Sequence, residues 1–596
     1  MLIQNNKANA TIVIPENSDT LIQRTAEDIQ DVFSRMSGVE LAIKKDSQQI
    51  DGNRILLGDT EWTDGIVSTA EKASLPDEAF ILRRQGGDIA LVGGDSYGVA
   101  YAASEMFERL GARCFIPGPL GEVIPELDTI QFEELDVRQK PSFPMRWVSK
   151  ITEWNLRVKG NRVEEQSLPR PDFTIYPGIY HTQDNWLPHS EYFESHPEYF
   201  ALIDGERSDN PDCKLCNSNT EMIKEIAHNM KEYLDNNPNP DYISLSPTDH
   251  QLWCECEDCL ALDEDNVASD QTYSRRQLVL YNRVARELEK YYPDQKILTG
   301  AYNVYTYPPA DPDLKAHRNL AVVLCHYDPY CMAHPINDPD CRKNKRFDEI
   351  IRAWAEHTSD ICFYEYYRKT NWLNLPWPIV HSIKDDIPYI KKLGLLGLHT
   401  QGVTRTKWTT VPNHYIAAKL LWDHTADVES LMEDFYKKFY GQAAEPMKAY
   451  HELLENQMAN CGRHIGGYAQ TRADPVFTPH VLSKMDEHLQ EARQLAENEK
   501  VQARIDKLIL LQGYSRRLMH FLNTRDKGER AEGVKRYGLL LQALREGRSL
   551  QKDVNAGKYG SKDLVWAKLF QDDKQIVRAL RKLEKQVENC KPEWVN

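Results

Sequence analysis

No apolar run in this 596-residue chain reaches the roughly 18 to 20 residues that a membrane-crossing helix needs, so no membrane span is expected. Met1 to Lys7 is polar and lacks the apolar stretch of a secretory leader, so the chain as written carries no signal peptide. Its compartment stays open, because a leader can be removed before a chain is written down. Positive charge is the minority sign: Lys and Arg number 73 against 90 Asp and Glu, a net charge of -17, with no local basic patch. Such a surface repels phosphate backbones and excludes a generic nucleic-acid binder. There are no internal repeats and no low-complexity segments. Two things are plentiful: aromatic side chains, with 29 Tyr, 16 Phe and 12 Trp, and 12 cysteines, five of them crowded into one stretch.

The length is too great for one core, and the chain reads as three units. Residues 1–135 alternate strand and helix patterns, as in Ala10–Ile14, the helical Asp19–Met36 closed by Gly38, and the hairpin across Gln85-Gly-Gly-Asp88. Gly93-Gly94-Asp95 lacks the third glycine and the downstream acid of a dinucleotide fingerprint, so it reads as a turn and helix cap. Residues 136–411 carry seven strand candidates separated by helical patterns: Met145–Ser149, Phe173–Tyr180, Tyr242–Ser246, Ile297–Tyr305, Leu320–Tyr327, Ile361–Tyr366 and Leu395–Thr400. With one more strand assumed missed, this alternation predicts an α/β fold, a (β/α)8 TIM-like barrel. A doubly wound sheet is the rival, but it would more often show a glycine-rich loop after its first strand. Residues 412–596 lose the strand signal and read as a helical domain.

Cys213-x-x-Cys216 is followed about forty residues later by Cys254-x-Cys256-x-x-Cys259. Knuckles of this spacing close tetrahedral thiolate sites. Cys254, Cys256 and Cys259 supply three ligands, and Cys216 is taken as the fourth ahead of Cys213. Structural zinc, disulfides and free thiols are all compatible with the pattern. If zinc is bound, four thiolates leave no open position, so the role is structural, and no catalytic cofactor is expected.

Catalytic groups of a barrel sit at the C-terminal ends of its strands. Four strand ends qualify: Asp249, His326 with Asp328, Glu365, and His399. Glu365, among Tyr364, Tyr366 and Tyr367, is the sharpest candidate, since aromatic surroundings desolvate a carboxyl and suit it to general-acid work. A Glu simply hydrogen-bonded inside the fold reads equally well, and Asp249 equally suits a turn or cap. Tyr302, Tyr366, Trp372 and Trp408 supply ring faces, and His181, His326 and Asp328 supply polar groups, for a carbohydrate cleft.

His196-Pro-Glu-Tyr-Phe200, Leu215-Cys-Asn-Ser-Asn219, Ser244-Leu-Ser-Pro-Thr-Asp249, Trp253-Cys-Glu-Cys-Glu-Asp-Cys259, Tyr364-Glu-Tyr-Tyr367 and Leu420-Leu-Trp-Asp423 resemble glycoside hydrolase family 163. Ile89 to Gly98, Phe107 to Gly111 and Arg113 to Gly118 resemble the non-catalytic N-terminal domain of α-glucuronidases and β-hexosaminidases. The first resemblance implies an endo-β-N-acetylglucosaminidase acting on a glycan or glycoprotein oligosaccharide. Its implied mechanism is retaining and substrate-assisted, with Glu365 as acid/base and Asp249, then Asp328, as the group that holds the acetamide. No adjacent Asp-Glu pair ends a barrel strand, as in β-hexosaminidases. Two readings stand beside it: a hydrolase of uronic or other acidic glycans, with Arg146, Arg368 and Arg405 as candidate cations, and a catalytically silent carbohydrate-binding protein. Oligomeric state is not legible.

Overall fold

The computed structural model describes residues 1–163, 165, 167–169, 173–237, 240–327, 329–368, 372, 375–403, 408–466, 473–556, 558 and 572–592. Asp328 and Arg405 therefore lie outside the described residues.

A six-stranded mixed sheet comes first. Its strands are β1 (Ala10–Ile14), β2 (Ile43–Lys45), β3 (Asn53–Leu57), β4 (Phe80–Gln85), β5 (Asp88–Gly93) and β6 (Asp136–Gln139), in the order β6-β4-β5-β3-β1-β2. Strand β6 pairs antiparallel with β4, so this sheet takes in residues just past 135. Helix α1 (Thr20–Ser37) starts where the Asp19 carboxylate accepts the Leu21 and Ile22 N–H groups, and stops at Gly38 with φ +72°. Helix α2 (Ser96–Arg109) begins at the two glycines. The Asp95 carboxylate accepts the Gly98 N–H at 2.8 Å, and a Cβ on Gly94 would meet the Pro76 carbonyl at 2.0 Å. The turn-and-cap reading of that motif holds.

The second sheet is parallel throughout and curled. Its seven strands are β7 (Met145–Ser149), β8 (Ile175–Tyr176), β9 (Tyr242–Leu245), β10 (Lys296–Ala301), β11 (Leu320–Cys325), β12 (Ile361–Glu365) and β13 (Gly397–Val403). Their order, β7-β13-β12-β11-β10-β9-β8, sets the first strand beside the last, which is the curl of a TIM-like barrel. Each expected strand segment contributes one strand. Among the described residues the sheet has seven strands, and it does not pair β7 with β8. Strand β8 is short because Pro177, which has no N–H to give to a ladder, follows Tyr176. Helices α3 (Thr220–Asn236), α4 (Ser274–Glu289), α5 (Arg342–His357) and α6 (Val380–Lys392) lie between successive strands and pack on the outer face.

Helices α7 (Asn413–Trp422), α8 (Val428–Tyr440), α9 (Ala444–Ala459), α10 (Pro479–Leu495), α11 (Glu499–Arg530), α12 (Gly533–Asn555) and α13 (Asp572–Asn589) follow. One apolar core runs without a break from Phe363 and Leu398 of the curled sheet into Tyr415, Phe435, Met485 and Leu583 of these helices. Trp422 of α7 reaches the other way: it stacks on Phe80 at 5.9 Å and belongs to the core of the first sheet.

Candidate functional site

Strand alternation decides what faces where. Across the curled sheet, Trp147, His399, Tyr364 and Cys325 stand in register on β7, β13, β12 and β11 and share one face. Phe363, Leu324 and Leu398 occupy the other, and Phe363 meets Phe347 of α5 at 5.6 Å, so that face looks toward the helices. The row containing His399 therefore lines the inside of the curl.

Glu365 follows the parity of Phe363. Its buried carboxylate accepts from His326 Nδ1 at 3.1 and 3.3 Å and from the Tyr366 N–H at 3.3 Å, and the His326 ring stacks on Phe347 at 4.4 Å. The pair is packed between sheet and helices. Burial works against the His326 imidazolium, but the Glu365 carboxylate outweighs it and holds the His326 pKa above its ordinary value. A second buried acid with the pair in its electrostatic reach was not foreseen. Asp386 of α6 accepts the Ile336 N–H at 2.6 Å, and burial pushes its pKa up to about 8.

The inner row is a different environment. Tyr364 meets His399 at 4.8 Å and Tyr180 at 5.0 Å, and Tyr180 remains 44% exposed. Arg162 Nη1 donates to His399 Nε2 at 2.7 Å while its guanidinium lies 5.0 Å over the Trp147 ring. Burial, then Arg162 and Lys150, drive the His399 pKa well below its ordinary value, so the ring is neutral and carries its proton on Nδ1. That Nδ1 and Trp147 Nε1 are buried without a hydrogen-bond partner among the described residues. The two rings stand 6.1 Å apart, and buried donors that stay unmet are costly.

Asp249 is exposed on the loop after β9. This loop is tied to the neighbouring one: the Thr182 and Gln183 N–H groups reach the Ser246 carbonyl at 3.1 and 3.0 Å, and His181 Nδ1 lies 3.1 Å from the Pro247 carbonyl. His181 packs on Tyr180 at 5.5 Å, so a continuous rim runs from the Asp249 loop through His181 and Tyr180 to Tyr364, His399 and Arg162. Lys214 donates to the Thr248 carbonyl and sits 4.9 Å over Trp253; burial brings its pKa down to about 8 against the pull of Asp249.

Tyr302 and Tyr327 are half-buried and face each other at 4.5 Å. Trp372 and Trp408 do not present free faces as expected. Trp372 is wedged against Trp377 and Phe477, Trp408 stacks on Phe439, and both are buried. Tyr366 is buried too, its carbonyl accepting from Trp377 Nε1 at 3.2 Å. Arg146 is fully buried in a two-pronged pair with Glu78 at 2.8 and 3.0 Å, which removes it as a cleft cation.

The sulfur atoms of Cys216, Cys254, Cys256 and Cys259 all lie within 4.8 Å of one another. Cys216 is 3.7 Å from Cys256 and 3.8 Å from Cys259, against a tetrahedral S–S edge of about 3.8 Å for zinc–sulfur bonds of about 2.3 Å. The Leu202 N–H donates to Cys254 Sγ at 3.3 Å, the outer-shell contact a thiolate wants. Cys213 stands apart and donates to the Ser208 carbonyl. The four-thiol set joins the loops after β8 and β9, which are the loops that carry the rim.

No curated protein matches the chain. Among solved structures, a family GH115 4-O-methyl-α-glucuronidase, described as specific for decorated arabinogalactans, is similar over 92% of this chain and 77% of its own, with 12% identity and a TM-score of 0.54. A β-N-acetylhexosaminidase from Bacteroides fragilis aligns over 75% of this chain and 92% of its own, with 13% identity and a TM-score of 0.42. The Streptomyces plicatus N-acetyl-β-hexosaminidase aligns over 74% and 92%, with 12% identity and a TM-score of 0.43. At such identities the likeness concerns the fold, and the GH115 structure carries it. The family described as a domain of unknown function, DUF4838, matches residues 116–452. That span is more than half of the chain, and the protein belongs to the DUF4838 family.

Proposed function

We propose that this protein is a glycoside hydrolase that cleaves an N-acetylglucosaminyl linkage in glycans, with its site on the inner rim of the curled sheet. One observation carries the reading: the Nδ1 of His399 and the Nε1 of Trp147 are buried donors with no partner among the described residues, beside Tyr364 and Tyr180. Sugars offer acceptor oxygens and apolar ring faces together, which is what donors set beside aromatic rings recognise. The motifs that resemble glycoside hydrolase family 163 and the fold shared with a GH115 enzyme fit the same reading.

In this account the acetamide oxygen of the substrate attacks the anomeric carbon as the glycosidic C–O bond breaks, and a rim carboxylic acid gives its proton to the leaving oxygen. Asp249, exposed on the loop whose Pro247 carbonyl meets His181, takes the acid role, and then accepts the proton of the water that opens the oxazolinium ring. Asp328, which follows His326 in sequence, is assigned to hold the acetamide. Glu365 is reassigned: it positions His326, because its buried carboxylate faces the helices. The four cysteines are proposed to hold a structural zinc. The proposed organisation remains three segments, 1–135, 136–411 and 412–596, with β6 adding to the sheet of the first and the last two sharing one core.

The alternative substrate, an acidic glycan, is favoured by Arg162 and Lys150 beside His399. Digestion of a glycan array read by mass spectrometry tests the class. Inhibition by a thiazoline mimic of the oxazolinium supports acetamide participation. Cleavage confined to uronic-acid glycans, insensitive to the thiazoline, overturns it in favour of the acidic substrate.

A further inference from the structure

Behind the rim, on the helix side of the sheet, two cysteines and two histidines converge from positions far apart in the chain. Cys331, His334 and Cys341 lie in the loop between β11 and α5, and His464 follows α9. One ligand atom from each of the four lies within 4.8 Å of all the others. Cys331 Sγ is 3.3 Å from His334 Nδ1, and Cys341 Sγ is 3.4 Å from His464 Nδ1. With zinc–sulfur bonds of about 2.3 Å and zinc–nitrogen bonds of about 2.0 Å, a tetrahedral S–N edge is about 3.5 Å. The two measured edges come within a few tenths of an ångström of it.

The surroundings are built to hold these atoms still. Asn344, fully buried at the start of α5, accepts the Cys331 N–H at 2.9 Å and donates to the carbonyls of Cys331, His334 and Pro335 at 2.8, 2.7 and 3.0 Å. His334 Nε2 lies 3.3 Å from the Ala459 carbonyl, which fixes the proton on Nε2 and turns the Nδ1 lone pair toward the sulfurs. The Met332 N–H donates to the Ile465 carbonyl at 2.7 Å, so the two loops are stitched together beside the cluster. The cluster is half-closed to solvent, with both cysteines buried and both histidines partly so.

We propose that Cys331, His334, Cys341 and His464 form a second structural metal site that takes a zinc-class divalent cation. Four protein ligands close the coordination sphere, so the site does no chemistry on a substrate. It clamps the loop that begins with His326, the partner of Glu365, to the turn after α9. This inference stands apart from the glycosidase reading and from the four-cysteine site.

Three measurements on the full chain test it. Elemental analysis of dialysed protein is expected to find about two zinc ions per chain, one of them lost in Cys341→Ser and in His464→Ala but kept in His464→Cys. X-ray absorption at the zinc edge, on unaltered protein, needs no variant to fold. With both sites filled it averages to about three sulfurs and one nitrogen per zinc, and with only this site filled to about two and two. An all-sulfur shell overturns the proposal, as does zinc content unchanged in His464→Ala. So does an intact mass showing a reducible Cys331–Cys341 disulfide.

Discussion

At the residue scale the buried acid on α6 makes the sharpest claim. Ile383, Asp386, Ile387 and Ile390 share the buried stripe of α6, and burial, reinforced by Glu365, raises the Asp386 pKa to about 8 against the Ile336 hydrogen bond and His326. An acid whose folded pKa is raised costs nothing below its unfolded value near 3.8; the cost grows as pH climbs and levels off above about 8. The His326 imidazolium runs in the same direction. Its raised pKa contributes stability that is complete below 6.5 and lost as pH rises through the folded value. Asp386→Asn, which keeps an acceptor for the Ile336 N–H, is therefore expected to be more stable than the parent at pH 8.5 by on the order of 1–3 kcal/mol and equal to it at pH 4. Urea titrations at the two pH values check this, and equal stability at both contradicts it. Burial of Asp386 depends on the packing of the fold, whereas the helical pattern that carries it was legible in the sequence. So was the side of the sheet that Glu365 takes, because it shares parity with Phe363. Arg162 was not legible, since its loop carries no periodic signal and only the fold brings it to His399.

Between elements, the joint of the two sheets is a buried ion pair. Arg146 of β7 meets Glu78 at 2.8 and 3.0 Å and also donates to the Phe143 and Lys159 carbonyls at 2.8 Å. Removing one partner strands a buried charge, so Glu78→Gln is expected to cost about 3–5 kcal/mol in denaturant unfolding. A cost under about 1 kcal/mol would mean that water reaches the guanidinium. The cysteine loops offer a paired comparison: Cys216→Ser is expected to release zinc and lower the thermal midpoint, whereas Cys213→Ser leaves the zinc in place. Loss of metal from both variants contradicts the ligand set. Seven strands were legible because each is a short apolar run bounded by polar turns. The gap between β7 and β8 was not, because pairing depends on how far the curl closes. The Cys331–His464 set was likewise invisible, since the separation of 123 positions between Cys341 and His464 leaves no local spacing to read.

Across the whole molecule, the curled sheet and the later helices share one core, with Tyr415, Phe435 and Phe439 ringed around Phe115 at 4.8 to 5.4 Å. Truncation after residue 411 exposes that shared face, so the shortened chain is expected to aggregate in size-exclusion chromatography; a monodisperse, cooperatively melting fragment would show the helices to be a separate unit. A helical tail was legible from the sequence, whereas its welding to the sheet depends on which rings interlock. The central claim is that glycan cleavage occurs on the inner rim with Asp249 as acid, while Glu365 supports His326 from behind the sheet. The direct measurement is kcat/KM of Asp249→Asn and Glu365→Gln on the same N-acetylglucosaminyl glycan and on its aryl glycoside with a good leaving group. The account predicts a loss of about a thousandfold or more for Asp249→Asn on the glycan, smaller on the aryl glycoside, which needs little protonation. It predicts that Glu365→Gln keeps activity within about tenfold on both substrates. A leaving-group-dependent collapse in Glu365→Gln, with Asp249→Asn near parent activity, would contradict it.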